Sequence, residues 1–500
     1  MNVSPTSTIS LLLFIAAVIG IGACSGFEPA IALLLSLLVV VGFMCAWKFH
    51  MALIAGLLFV GIFKSHGATE VSFRDPTLLL LALLAGAVVC EVLVRSRLNE
   101  TAAWSLAIRG EMGAVVAFVA LLAIVSVSYL YTPAPISGAN KLARFAAFVP
   151  VVFFSPLLLL HKEKQFKSFA VMNLVLSLVL AVRSVLELMH TSPIAMELAG
   201  KGDITRIGDA QLIGSAVVML LYYRFAERYA TLVRLVCIPL LIVGLIACAA
   251  RGPLVSLMIA VIIGFITVRK SYIPPKVALV GFGLGVAVAV FSTLWIEEFP
   301  AARDKFMHKE AELALLSNME DPGGTAGQRL QFYSRAWEGI KEKPIFGWGV
   351  GAWVTYYYGY DSTAEHKGAK LAFLTTYPHN LILEVAFEQG ILGLAALFSL
   401  LILAFHRLVR LLKVADGRYA FMYPLFLYCL LAGMFSEDIN NRVLWTWCGM
   451  VFAVSHLARK EVMETAAAQI AATSDVVRPF IAVGLPQRKM VAHLLRQSRL

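Results

Sequence analysis

Five hundred residues would ordinarily make about three soluble domains, yet 60% of them are hydrophobic and only 15% charged. Mean hydropathy is +0.81, so the apolar surplus excludes an ordinary soluble fold and has to face lipid. The 42 basic residues against 31 acidic ones leave a net charge of +11, which in so apolar a chain poses a question of membrane sidedness rather than of nucleic-acid binding.

Apolar stretches near the ~20-residue spanning length predict an all-α integral membrane protein of about 12–14 transmembrane helices. In chain order they run over Thr8–Cys24, Pro29–Trp47, Met51–Phe63 (the weakest), Pro76–Val94, Gly113–Tyr131, Phe145–Leu160 and Phe169–Met189. They continue over Gln211–Tyr223, Leu232–Ala250, Pro253–Val268, Val277–Trp295, Gly390–His406, Phe421–Phe435 and Val443–His456. The seven cysteines all fall in apolar runs and form no C-x-x-C pair, which reads as buried thiols rather than a zinc or redox site. Ile21-Gly22-Ala23-Cys24 is a loose lipoprotein-like box, but no Lys or Arg precedes Lys48, so an uncleaved first span is expected.

Basic residues test this map. With a cytoplasmic N-terminus, the inner connections collect Arg95, Arg97, Lys162, Lys164, Lys167, Arg224, Arg228, Arg269, Lys270, Arg407 and Arg410. The C-terminal tail adds Arg459, Lys460, Arg488 and Lys489, whereas the short outer loops carry few. That alternation fits the positive-inside rule with both termini cytoplasmic. The chain divides accordingly into N-terminal spans (1–296), a large outer loop (297–389), C-terminal spans (390–458) and a basic inner tail (459–500). In the loop, Ala311–Met319 and Gln328–Lys341 have helical character, and Pro344 stops the second. A Gly- and aromatic-rich stretch follows, Phe346 to Trp353 and Tyr356 to Tyr360, then a segment Asp361–Lys370 that reads as mobile.

A catalyst on the outer face has no cytoplasmic nucleotide at hand, so its substrate must arrive activated, and a lipid diphosphate is the natural candidate. Its leaving group calls for fixed cations, best as guanidinium groups. Lys141 and Arg144, Lys201 and Arg206, Arg251 and Arg442 supply them. Arg251, in Ala250-Arg251-Gly252-Pro253, sits between two spans with scarcely a loop, where a helix N-terminus adds positive potential. The competing reading is an interfacial Arg gripping lipid phosphate, and for Arg206 a simple pairing with Asp203 or Asp209. Arg183 and Glu187 have the spacing of an intrahelical ion pair. His379, in Tyr377-Pro378-His379-Asn380, leads a helix toward the next span and can accept or orient the proton of a sugar hydroxyl. Glu384 and Glu388 share a helix face and are expected to face solvent; cation binding, or holding His379, are the alternatives.

The segment Gln328–Leu397 resembles the O-antigen ligase and polysaccharide polymerase superfamily. The matching elements are Arg335-x-Trp337, Pro344-Ile-Phe-Gly347-Trp-Gly349, Pro378-His379-Asn380 and Glu388-x-Gly390-Ile-Leu-Gly393. Ala250-Arg251-Gly252 resembles the family's Ser-Arg-Gly, with Ala in place of Ser. Thr205-Arg206 and the stretch Tyr129–Phe145 resemble further elements, extending the likeness over Tyr129–Phe452. The resemblance implies a multispanning lipid-phosphosugar glycosyltransferase of GT-C-like architecture in the bacterial inner membrane, acting in the periplasm with inversion and with neither metal nor other cofactor. Its donor would be an undecaprenyl-diphosphate-linked glycan, and its acceptor the lipid A core (ligase) or a growing polysaccharide (polymerase). Arg251 and Arg206 would hold the diphosphate, and His379 the acceptor hydroxyl. Asn380 would cap the helix or touch sugar, while Lys141, Arg144 and Arg335 would add phosphate or glycan contacts. Trp348, Trp353 and Tyr357 would form a sugar-stacking wall, or an aromatic membrane-interface belt. A lipid-linked glycan transporter is the reading from a different class; it would place its ionisable groups near the midplane.

Overall fold

The computed structural model describes residues 50–60, 76–97, 108–190, 203–223, 230–248, 250–268, 324–359, 377–413, 417–436 and 438–481. The expected spans Thr8–Cys24, Pro29–Trp47 and Val277–Trp295 lie outside these residues, as do Ala311–Met319 and Asp361–Lys370. Among the described residues every regular element is a helix, and the chain is an all-α membrane protein. The helices are α1 (His50–Leu58), α2 (Pro76–Arg97), α3 (Met112–Ser128, prolonged by a 3-10 turn to Tyr131), α4 (Pro135–Leu159) and α5 (Glu163–His190). Next come α6 (Asp203–Tyr222), α7 (Ala230–Ala247), α8 (Arg251–Thr267), α9 (Gly324–Glu342) and α10 (Trp353–Tyr358). The chain closes with α11 (Leu381–Leu412), α12 (Met422–Ser436) and α13 (Arg442–Ile481).

Among the described residues, four stretches are long and apolar enough to cross a membrane: Met112–Tyr131, Pro135–Leu159, Glu163–Leu186 and Leu381–Leu412. At 1.5 Å per residue, twenty or more residues cover the ~30 Å hydrocarbon core. Helix α1 has only nine residues, too few to span by itself. Several helices begin well before the apolar stretch that announces them. Helix α4 starts at Pro135 rather than near Phe145, α6 at Asp203 rather than Gln211, and α11 at Leu381 rather than Gly390. Their first turns carry polar residues, which a hydropathy window discounts. Proline at the first position of α4 is compatible with helix, because no intrahelical partner awaits its missing N–H.

Cross-contacts fix the direction of each helix. Glu111, just before α3, pairs with Arg407 at the far end of α11 (2.8 Å) and with Arg459 of α13. Arg418 bridges Glu163 at the start of α5 (3.3 Å) and Glu461 of α13 (3.5 Å). Arg234 of α7 donates from Nε to Leu220 O and from a terminal guanidinium nitrogen to Tyr223 O, both at 2.9 Å. A guanidinium thereby caps the C-terminus of α6, where the helix dipole favours a cation. These contacts define one end of the bundle. At the other end lie the N-termini of α4, α6, α8, α11 and α13. Lys141 of α4 meets α11 there, and Asn441, which caps α13, meets Gln211 of α6. Helix α8 runs parallel to α6, since Tyr222 at the end of α6 donates to Val261 O of α8 at 2.6 Å. Between the two ends sits a continuous apolar core, in which Phe118 stacks on Phe153 at 4.3 Å and meets Trp445 edge-on at 5.8 Å.

Candidate functional site

The His379 end of the bundle is organised by a break in α11. The backbone at Gly390 leaves helical geometry (φ 64°, ψ −158°), which interrupts the N–H to C=O ladder. The segment after α9 fills the gap. Trp348 N donates to Phe387 O and Gly349 N to Glu388 O, both at 2.8 Å, while Ile391 N donates to Pro344 O at 2.9 Å. The Pro344–Gly349 run and the Glu388–Gly393 run are therefore two halves of one joint, each satisfying backbone groups that the other leaves open. Gly347 has φ 71°, and a Cβ there would lie 2.5 Å from the backbone of Glu388; only glycine permits the two segments of this crossing to approach so closely. The same run is stitched to the end of α3. Val350 N donates to Ser128 Oγ (3.1 Å), Thr132 Oγ1 to Val350 O (2.9 Å) and Tyr131 Oη to Phe346 O (2.6 Å).

A small aromatic core seats α9 and α10 on the first turns of α11. Phe332, Ala336, Ala352, Trp353 and Phe387 are its buried members. Trp353 has no exposed surface; it stacks on Tyr357 (5.3 Å) and meets Phe332 and Phe387 edge-on. Its ring therefore supports the module and presents no face for a sugar. Trp348 lies parallel to Phe387, takes Lys343 Nζ over its ring at 3.9 Å and donates from Nε1 to Gly339 O at 2.9 Å. Tyr357 is half-buried, and Arg335 is half-exposed, paired with Glu338 at 2.8 Å and lying over the ring of Tyr356 at 4.9 Å.

His379 lies one residue before the Asn380 cap of α11, half-buried on this platform. Its ring stacks on Phe332 at 6.0 Å and meets Tyr377 edge-on at 4.7 Å. Its backbone adopts φ 56°, the left-handed region. Asn380 is the N-cap of α11, its Oδ1 accepting from Leu383 N at 3.1 Å. Tyr333 Oη donates to His379 O at 3.4 Å. Burial raises the Tyr333 phenol above its ordinary value, against the opposing pull of Arg329 and Asn380, which keeps the donor proton in place.

Glu384 and Glu388 do not face solvent. Both are completely buried, and both pair with Lys141, at 2.6 Å for Glu388. The expectation failed because an exposed i, i+4 acidic pair and a buried one look alike in sequence; the cation that compensates them lies far away in α4. Glu384 Oε2 also accepts from Ile439 N at 3.0 Å. Lys141 is thus a buried helical residue rather than a loop cation, whereas Arg144, in the same helix, is exposed. Arg206 lies in the first turn of α6 and Arg251 is the first residue of α8. Their side chains lie outside the described residues, as does that of Glu187. The described residues hold no cluster of three or more His, Cys, Asp or Glu side chains that could bind a metal.

Comparison with known proteins finds similarity over part of this chain. Residues 235–398 match the O-antigen ligase family. The matched stretch contains Arg251, the joint at Gly390 and His379; Arg206, Lys141 and Arg144 fall outside it. A protein of Rickettsia prowazekii (strain Madrid E) named "Putative polysaccharide ligase RP358" is 33% identical over 115 residues. A Rickettsia typhi (strain ATCC VR-144 / Wilmington) protein named "Putative polysaccharide ligase RT0347" is 32% identical over 115 residues. In each case the alignment covers 23% of this chain and 28% of the relative's length. The stretch similar to the O-antigen ligase family thus has Arg251 near its start and the His379 platform near its end.

Proposed function

We propose that the chain transfers a glycan from a lipid diphosphate, of the undecaprenyl class, to a sugar hydroxyl on the periplasmic side of the inner membrane. In its ligase form the acceptor is the lipid A core; the polymerase reading, with a growing polysaccharide as acceptor, uses the same groups. Both belong to surface-polysaccharide synthesis. The acceptor oxygen bonds to the anomeric carbon from the face opposite the leaving group. The bond from that carbon to the diphosphate oxygen breaks, and its electron pair departs with the phosphate. Arg251 and Arg206, at the starts of α8 and α6, hold that developing charge, with the two helix N-termini adding positive potential. His379 takes up or orients the acceptor proton. Arg144 and Arg335, both with exposed surface, and Tyr357 offer further glycan contacts. The reaction needs no metal in this scheme.

The observation that carries this reading is the seating of His379. The motifs shared with the O-antigen ligase family interlock into a rigid platform beneath it, at the bundle end where α6 and α8 begin. The test is transfer by the purified chain from a lipid-diphosphate glycan to an acceptor, with and without chelator. Folded Arg251→Ala and His379→Ala proteins should each lose about 10²-fold or more in rate, and chelator should change nothing. Full activity in either variant overturns the assignment of that residue. The size of the product separates ligase from polymerase.

A further inference from the structure

Beneath His379 runs a buried polar network that crosses four elements. Lys141 of α4 is held between Glu384 and Glu388 of α11. Glu384 accepts the backbone N–H of Ile439 at 3.0 Å, in the link between α12 and α13. Two residues on, Asn441 caps α13 by accepting from Val443 N and Leu444 N, and its Nδ2 donates to Gln211 Oε1 of α6 at 3.3 Å. Lys141, Glu384, Glu388, Asn441 and Gln211 are all buried. The network therefore ties the helix that presents His379 to the helix that carries Arg206, two groups that must act on opposite sides of one scissile bond.

We propose that Lys141 is a positioning residue that sets this alignment, and not a contact for the donor phosphate; the proposal rests on the transferase reading above. Its ammonium donates to Glu388 and is ion-paired with Glu384, so both of these anionic contacts lie inside the protein. A diphosphate approaching it would meet Glu384 and Glu388 at the same distance, and their charge would repel it. Lys141 instead neutralises a like-charged pair, one turn apart on α11, that cannot remain buried without it. Removing the lysine frees that repulsion in the turns directly after His379 and Asn380.

Paired neutralisation tests this. In the purified full chain, Lys141→Met should lower the thermal midpoint and reduce kcat at least about tenfold, with the donor KM close to that of the parent. The triple variant Lys141→Met/Glu384→Gln/Glu388→Gln removes the cation together with the two carboxylates paired with it, and leaves the neighbouring Asp438 in place. A glutamine at 384 can still accept from Ile439 N, so both midpoint and kcat should recover most of the loss. A positioning role predicts that rescue, whereas a phosphate contact does not. A triple variant as inactive as the single one overturns the proposal, as does a single variant that raises donor KM while leaving kcat intact. Should Lys141→Met fail to fold, the comparison of the triple variant with the parent decides alone. If the parent itself forms no product, the transferase reading fails, while recovery of the midpoint still reports on the network.

Discussion

His379 is the one non-glycine residue among those described that holds a positive φ. For an L-residue the left-handed conformation costs about 1–2 kcal/mol, and such outliers persist where the surroundings over-determine them. Here the surroundings are identifiable: the Asn380 cap, the Phe332 ring and the Tyr333 hydroxyl on its carbonyl. Alanine is consequently an imperfect probe, because it removes the imidazole and keeps the backbone cost. His379→Gly separates the two. We expect it to abolish transfer as His379→Ala does, yet to leave the thermal midpoint equal to or above that of His379→Ala. A glycine variant less stable than the alanine one would show that the left-handed turn is not under strain.

At the scale of elements, the joint between Pro344–Gly349 and Glu388–Gly393 carries the site. Gly390 sits at φ 64° and ψ −158°, a region essentially confined to glycine, and a Cβ there would run into the carbonyl of Ile345. Gly390→Ala should therefore destabilise the chain by about 1–3 kcal/mol and loosen α9 and α10 first. Limited proteolysis should then cut near Lys341 and Lys343, both exposed, before it touches the other end of the bundle. A fragmentation pattern unchanged from the parent would mean that the joint does not hold the module. Sequence showed these two motifs as separate members of an ordered set, the first running into a Gly- and aromatic-rich stretch. What it could not show was that they complete each other's hydrogen bonds, because register between distant segments leaves no local trace. The cap at Asn380 was legible, since a side-chain acceptor before an apolar helical run has a local geometry. The burial of Trp353 was not, since a stacking wall and an aromatic core have the same composition. Glu384 and Glu388 did leave a signal: two carboxylates at helical spacing in a helix otherwise apolar for most of its length, and a lone lysine in another such helix. Burial of charge demands a partner, and that demand links the two.

Across the whole molecule, the two ends differ in what their charges do. At the Arg407 end, Arg407 and Arg459, which read in sequence as topology signals, also tie helices together through Glu111, as do Arg418 on Glu163 and Arg234 on the end of α6. At the His379 end, among the described side chains, Lys141, Glu384 and Glu388 are buried and compensate one another, whereas Arg144 and Arg335 are exposed. Among the described residues, hydropathy located the middles of the apolar helices because lipid contact is a property of composition; it misplaced several of their polar starts because internal pairing is not. The same asymmetry predicts sidedness. Under the positive-inside rule the basic residues concentrated at the Arg407 end would lie in the cytoplasm, with α9 and His379 outside. Single cysteines decide this in spheroplasts treated with a membrane-impermeant maleimide, read against the parent chain and its native thiols. Arg335→Cys, at a side chain 50% exposed, should label in intact spheroplasts. Lys460→Cys, at a side chain 54% exposed, should label only after permeabilisation. The reverse pattern would place His379 in the cytoplasm, away from any periplasmic acceptor, and the proposed reaction would fall with the orientation.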